Sequence, residues 1–150
     1  MAGHIRPAAI EDLPQIQRIV HDAYVTYVDR IGKPPAPMLD DHRKHVLAHE
    51  AWVILNETDV TGVLILIPHA DHLLLDNVAV DPRSRGKGFG RALIEFAERE
   101  AARRGYDEIR LFTHQKMHEN LLMYPHLGYE EIGRGTQDGF DRVFFRKRIA

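Results

Sequence analysis

Hydrophobic and polar positions along this chain follow two periods, and the switches between them set out a succession of strands and helices. Gly3 to Arg6 reads as a short first strand stopped by Pro7. Asp12 then caps a helix with Pro14 in its first turn, and Leu13, Ile16, Ile19, Val20, Ala23, Tyr24 and Tyr27 recur at helical spacing as its core face. The segment Gly32-Lys33-Pro34-Pro35-Ala36-Pro37 ends this helix in a stiff loop able to wall a pocket, because prolines restrict the backbone and remove donors. Met38 to His49 predicts a second helix.

Alternation returns at Ala51 to Leu55 and Val60 to Ile67, which the turn Asn56-Glu57-Thr58-Asp59 makes a hairpin. His72 to Val80 is the next strand. A helix from Gly88 to Arg104 follows, apolar at Phe89, Leu93, Phe96 and Ala97 and ended by Gly105. Glu108 to Thr113 forms a strand that the right-handed crossover rule makes parallel to its predecessor. Asn120 to Tyr124 predicts a short helix before Pro125, with Asn120 suited to cap it. Tyr129 to Thr136 pairs with Phe140 to Arg148 across Gln137-Asp138-Gly139. No repeat or low-complexity segment interrupts the series.

A length of 150 residues predicts one domain, 1–150, that buries roughly two-thirds of the surface of its unfolded chain. Its 44% hydrophobic and 28% charged residues are ordinary for a globular protein. A net charge of -2 gives no global basic field, so no nucleic-acid partner is expected. The absence of cysteine excludes a disulfide framework, a thiolate metal site and an acyl-cysteine intermediate. Met1 to Pro7 lacks the apolar centre of a signal peptide, and no apolar run approaches the ~18 residues of a membrane span. A cytoplasmic protein with no membrane partner is the expectation.

Against that near-neutral balance, residues 81–91 stand apart. Arg83, Arg85, Lys87 and Arg91 face a single acid, Asp81. A buried strand, a glycine-rich turn and a helix opening on glycines make a socket for an anion, because backbone N–H groups converge there and the helix dipole adds partial positive charge. Gly86-x-Gly88-x-Gly90 has neither the spacing of a dinucleotide fingerprint nor the Lys-Ser/Thr ending of a P-loop, so nucleotide folds drop out.

Arg85, Gly88 and Gly90 fit the pattern Arg or Gln, two residues, Gly, one residue, Gly or Ala. With Val78-Ala79-Val80-Asp81-Pro82 before it and an amphipathic helix after it, the stretch resembles the signature of the GNAT superfamily of acyl-CoA-dependent N-acyltransferases. The order of elements is similar to that fold over essentially the whole chain. The resemblance implies a mixed α/β fold, a central sheet of about seven strands flanked by about four helices. It also implies acetyl-CoA as co-substrate, direct transfer to a primary amine of a small molecule or peptide in a ternary complex, and a possible homodimer. The amides of Arg85, Gly86, Lys87, Gly88, Phe89 and Gly90 would take the pyrophosphate, with Arg83, Lys87 or Arg91 for the 3′-phosphate. Val78, Ala79 and Val80 would line the pantetheine arm, the Val78 N–H polarising the thioester carbonyl, a contact that typically contributes ~3 kcal/mol to a transition state. Asn120 matches a residue that helps hold the cofactor. Tyr124, in Tyr124-Pro125-His126-Leu127-Gly128-Tyr129, matches the tyrosine that protonates the departing thiolate. The acceptor pocket is expected at Tyr24, Tyr27, the Gly32 to Pro37 loop, Met38 and the last hairpin around Asp138.

Acyl transfer needs a neutral amine, which at pH 7 costs about 4.6 kcal/mol for an alkyl amine but only about 1 for a peptide α-amine. Asp76 shares a strand face with Val78 and Val80, where related enzymes place an acid; it reads either as base or ammonium anchor, or as an Asp simply hydrogen-bonded in the sheet. His72 is the nearby substitute. His42, His45 and His49 fall on one helical face, but no carboxylate or thiolate clearly completes a metal set, so they read as a solvated face and no metal is expected. The same reading covers His69/His72 and His114/His118. Two other functions stay open: a non-catalytic acyl-CoA-binding module and a histidine-based metal-binding protein.

Overall fold

Runs of β-branched residues and leucine at period two become strands, and the computed structural model, which describes residues 3–149, holds seven of them in one mixed sheet. They are β1 (His4–Pro7), β2 (Ala51–Asn56), β3 (Asp59–Pro68), β4 (Leu73–Val80), β5 (Glu108–His114), β6 (Glu130–Gln137) and β7 (Phe140–Arg148). Their order across the sheet is β1-β2-β3-β4-β5-β7-β6. The chain divides into two compact units: the first holds the chain up to Leu66 with Asn77–Ala97, the second Ile67–Asp76 with the chain from Glu98 onward.

In the first unit, β1 and β3 flank β2, both antiparallel, with Ile5 opposite Ile54 and Val53 opposite Val63. The hairpin turn is tighter than the sequence suggested, because Glu57 takes a left-handed conformation (φ 57°) and only two residues separate β2 from β3. Helix α1 (Leu13–Tyr24) buries Ile16, Ile19 and Val20, and helix α5 (Phe89–Arg103) buries Phe89, Leu93, Ile94 and Ala97. Gly62 lets α5 approach β3: a Cβ there would lie 3.1 Å from Leu93 Cδ1 and 2.8 Å from Ile54 Cγ2. Trp52 packs on Phe96 with ring centres 4.9 Å apart.

Three local expectations change here. Asp12 gives α1 no side-chain cap; its carboxylate turns back to Arg6, at 2.8 and 3.0 Å, and to the Ala9 N–H at 2.7 Å. A two-point carboxylate–guanidinium pair outcompetes a single capping bond to a backbone N–H. After Tyr24 the helix tightens into a 3-10 turn (Val25–Tyr27), resumes as α2 (Val28–Ile31) and stops at Gly32 (φ 91°). The proline loop then folds into a single turn, α3 (Ala36–Leu39), which holds Met38, so the next helix, α4 (His42–Leu47), starts later than Met38, capped by Asp41.

That shift overturns the solvated histidine face. His42 and His45 are buried, while His49 lies beyond the helix with φ 60°. His45 sits between two carboxylates, Nε2 at 2.7 Å from Asp40 Oδ2 and Nδ1 at 2.8 Å from Glu50 Oε1. Burial lowers the His42 pKa, against the pull of Asp40.

In the second unit the first half of β4 runs parallel to β5, with Leu73 opposite Ile109 and Leu75 opposite Leu111, as the crossover rule requires. β7 pairs antiparallel with β5 (Phe112 opposite Phe144, His114 opposite Arg142) and with β6. The β6–β7 turn is the pair Asp138-Gly139, both with positive φ (54° and 79°), the type I′ geometry that matches strand twist. Helix α6 (His118–His126) is longer than expected: it begins at His118, so Asn120 lies inside it and is not its cap, and it runs through Pro125. Proline is tolerated so near the end, where the Leu127, Gly128 and Tyr129 N–H groups bond back to Met123, Tyr124 and Pro125 carbonyls.

Candidate functional site

The glycine loop is built from β4 forward, within the first unit. At the end of the strand the Asp81 N–H bonds to Thr61 C=O at 2.8 Å, and its carboxylate is almost fully buried. That carboxylate accepts from the Arg83 N–H at 3.1 Å, from the Arg83 guanidinium at 2.9 and 3.3 Å, and from Arg18 at 3.1 Å. These donors, those of Arg83 foremost, hold its pKa down to about 2 against the opposing effect of burial. The 3-10 turn Pro82–Ser84 is thereby fixed on β4, and Phe89, buried, anchors the far side of the loop.

Between those anchors, Gly86 and Gly88 have φ of 80° and 82°, and a Cβ at either would meet nothing within 4 Å. The glycines are required for conformation, not for space. Gly90 differs: its φ is ordinary and a Cβ would sit 3.5 Å from Val80 Cγ2. Arg83 is committed to Asp81, and Arg91 lies 3.7 Å from Glu95. Arg85 and Lys87 are exposed and have no ion-pair partner among the described residues, which leaves them as the cations available to an incoming anion.

On the preceding strand, Tyr24 of α1 reaches β4. Its hydroxyl lies 2.8 Å from Asn77 Oδ1 and 3.2 Å from the Val78 C=O, and can donate its one proton to either. Asn77 is buried, and its Nδ2 has no partner among the described residues. Tyr24 therefore fixes the strand that carries Val78, Ala79 and Val80, a role beyond lining a pocket. The Tyr27 ring, 6.4 Å from that of Tyr24, carries the Arg30 guanidinium over its face at 5.0 Å. Met38 is half-buried in α3.

Asp76, Tyr124 and Asn120 belong to the second unit. Asp76 is half-buried, and its charge reaches the guanidinium of Arg142 on β7. Tyr124 is a buried ring in α6, 5.7 Å from Tyr129 and 5.9 Å from Phe145. Tyr129 donates to Glu98 Oε2 at 2.9 Å, and burial with the Glu98 charge pushes its pKa far up, so it stays a neutral wall beside Tyr124. Lys147 holds the other Glu98 oxygen at 2.9 Å. Asn120 donates its side-chain amide to Thr113 Oγ1 at 3.0 Å, tying α6 to β5.

The same unit contains a cavity of about 360 Å³ over the sheet, floored by Leu74, Phe112 and Phe144 and rimmed by His69, His72 and Gln137 among others. His72 stacks on His69 with ring centres 4.7 Å apart, and its Nδ1 is 2.7 Å from Asp71. Sequence reasoning missed Arg142, Arg18 and Asn77. Arg142 left one usable trace, an arginine alternating with Phe140 and Phe144 along a strand; Arg18 and Asn77 left none, because their partners lie more than fifty positions away.

Residues 48–131 match the acetyltransferase (GNAT) domain family. The chain is 27% identical over 104 residues to N-acetyltransferase family 8 member 3 of Rattus norvegicus, a stretch of 64% of this chain and 46% of that protein. The chain thus spans under half the length of that relative. It is 27% identical over 137 residues to the uncharacterized N-acetyltransferase YjgM of Escherichia coli (strain K12), covering 85% of this chain and 82% of that one. Among solved structures, the PaiA N-acetyltransferase from Thermoplasma acidophilum, crystallised in complex with coenzyme A, superposes with a TM-score of 0.78 at 20% identity, over 99% of both chains. That likeness is one of fold.

Proposed function

The chain belongs to the GNAT acetyltransferase domain family, and we propose on that basis that it transfers an acetyl group from acetyl-CoA to a primary amine by direct attack in a ternary complex. The observation that carries the reading is the loop at Arg85–Gly90. Two left-handed glycines turn the exposed loop into the start of a 15-residue helix, beside two cations without ion-pair partners among the described residues. A diphosphate is the ligand such a loop suits. Its amides would take the pyrophosphate and Lys87 the 3′-phosphate.

Acetyl-CoA supplies the activated acyl group; the chain supplies binding, orientation and proton movement. Val78 offers the backbone N–H for the thioester oxygen, on a strand that Tyr24 holds by the neighbouring carbonyl. Asp76, or His72 in its place, would take the amine proton. Tyr124 would return a proton to the departing sulfur, an assistance at the low end of the usual ~100- to 10,000-fold because a thiol is already a fair leaving group. Asn120 would steady the cofactor from α6, and Tyr24, Tyr27 and Met38 would border the acceptor.

Titration calorimetry with acetyl-CoA, followed by CoA release with a panel of amines, tests the reading. Binding that Gly88→Glu weakens, together with amine-dependent release, supports it. Binding without release from any amine would favour a CoA-binding module, and no binding would overturn both.

A further inference from the structure

Beside the cavity in the second unit stands a cation, Arg142, that the acetyl-transfer reading leaves unused. The cavity floor is apolar, built by Leu74 of β4, Phe112 of β5 and Phe144 of β7, and its volume of about 360 Å³ suits a small molecule. The Arg142 guanidinium lies 4.2 Å from the centre of Phe112 and donates to Gln137 Oε1 at 2.6 Å, and both of those residues line the cavity.

Arg142 is only 8% exposed, yet its one short hydrogen bond among the described residues goes to a neutral amide. The nearest carboxylate, Asp138 at 3.6 Å, is mostly in solvent. Burial accordingly lowers the Arg142 pKa, with the charges of Asp138 and Asp76 opposing that effect. A guanidinium remains ionised even so, so the site holds a largely desolvated positive charge whose one ion pair among the described residues is the long, solvent-exposed contact to Asp138. Two residues along β4 from Leu74 stands Asp76, a half-buried acid. The apolar floor thus has one charge of each sign beside it, Arg142 over Phe112 and Asp76 next along β4 on the face of Leu74.

We infer that the acceptor is a small zwitterionic amine of amino-acid type, with its ammonium at Asp76, its carboxylate at Arg142 and an aromatic or branched apolar side chain on Leu74, Phe112 and Phe144. This rests on the acetyl-transfer reading and narrows its substrate. The reaction balances as one N–C bond formed and one C–S bond broken: the ammonium and acetyl-CoA give the N-acetyl compound, CoA thiol and one released proton. An amine with only positive charges meets Arg142 as a like charge, and a peptide α-amine brings no carboxylate to it.

Matched pairs of amines decide the matter without any variant: L-phenylalanine against 2-phenylethylamine, and L-leucine against 3-methylbutylamine, compared by kcat/KM for CoA release after correction for the fraction of free amine. The carboxylate-bearing member should be preferred about tenfold or more, as one charge-assisted pair provides. Arg142→Gln should bring that ratio toward one, mainly through KM, while acetyl-CoA affinity stays unchanged. Equal use of both members by the wild-type protein overturns the inference. So does turnover of polyamines or peptide N-termini with neither member of any pair accepted, an outcome that leaves acetyl transfer standing. Acetyl-CoA binding with no release from any amine overturns the acetyl-transfer reading and the inference together.

Discussion

Replacing Asp81 by Asn keeps the side chain's size and removes the charge on which the glycine loop is anchored. The wild-type carboxylate takes the Arg83 N–H and guanidinium and the Arg18 guanidinium, and is held at about 2 against an ordinary 3.8. That difference corresponds to about 2 kcal/mol of preference for the ionised fold. The Arg83 and Arg18 side chains are 76% and 40% exposed, so solvent screening reduces the net contribution to about 1–2 kcal/mol. Because the folded pKa is depressed, this stability is fully present above about pH 5 and is lost as the pH falls toward 2. The assay is urea unfolding followed by Trp52, the only tryptophan, which packs on Phe96 in the same unit as Asp81. Asp81→Asn should cost about 1–2 kcal/mol at pH 7, and the gap to wild type should roughly halve by pH 3. Acetyl-CoA affinity should fall as well, since the turn Pro82–Ser84 loses its anchor. An equal penalty at both pH values would refute the electrostatic argument, leaving only a lost hydrogen bond.

Gly88→Ala should destabilise by about 1–2 kcal/mol, because L-residues resist φ near +82°, whereas Gly90→Ala should be neutral or slightly stabilising at its ordinary φ; equal thermal shifts would contradict this division of labour between the glycines. Tyr24→Phe should cost about 1 kcal/mol in thermal unfolding, by freeing the hydroxyl's partners at Asn77 and Val78, and an unchanged melting temperature would remove Tyr24 as a support of β4. Tyr124→Phe should slow kcat about 100-fold without abolishing it, and a rate equal to wild type would reduce Tyr124 to a packing residue.

What the sequence made legible was whatever depends on local pattern. All seven strands and the long helix were placed to within one or two residues, because alternation and 3.6-residue periodicity are local consequences of which face is buried. The errors fall where a distant or charged partner outbid a local rule. Asp12 is a good capping residue by type, yet Arg6 took its carboxylate. The histidine face looked solvated because Asp40 and Glu50 are not helical neighbours of His45 on one face; each lies five positions away, brought in by the chain bends at either end of α4. Pro125 marks a stop by residue type, but its position in the last turn leaves most of the helix unaffected.

The candidate site divides along the same line. The loop is a backbone device, and a backbone device announces itself through glycines at fixed spacing, so Gly86 and Gly88 were visible in the sequence and the φ values explain them. The cavity of the second unit is a side-chain device assembled across strands. Phe112 faces Phe144 and His114 faces Arg142 only through the β5–β7 register, and Leu74 joins them only through the parallel pairing of β4 with β5. These residues lie up to 70 positions apart, and no spacing rule links them. A loop of left-handed glycines can therefore be read from a one-dimensional motif, whereas a pairing such as Arg142 on Phe112 becomes readable only once the sheet has been assembled.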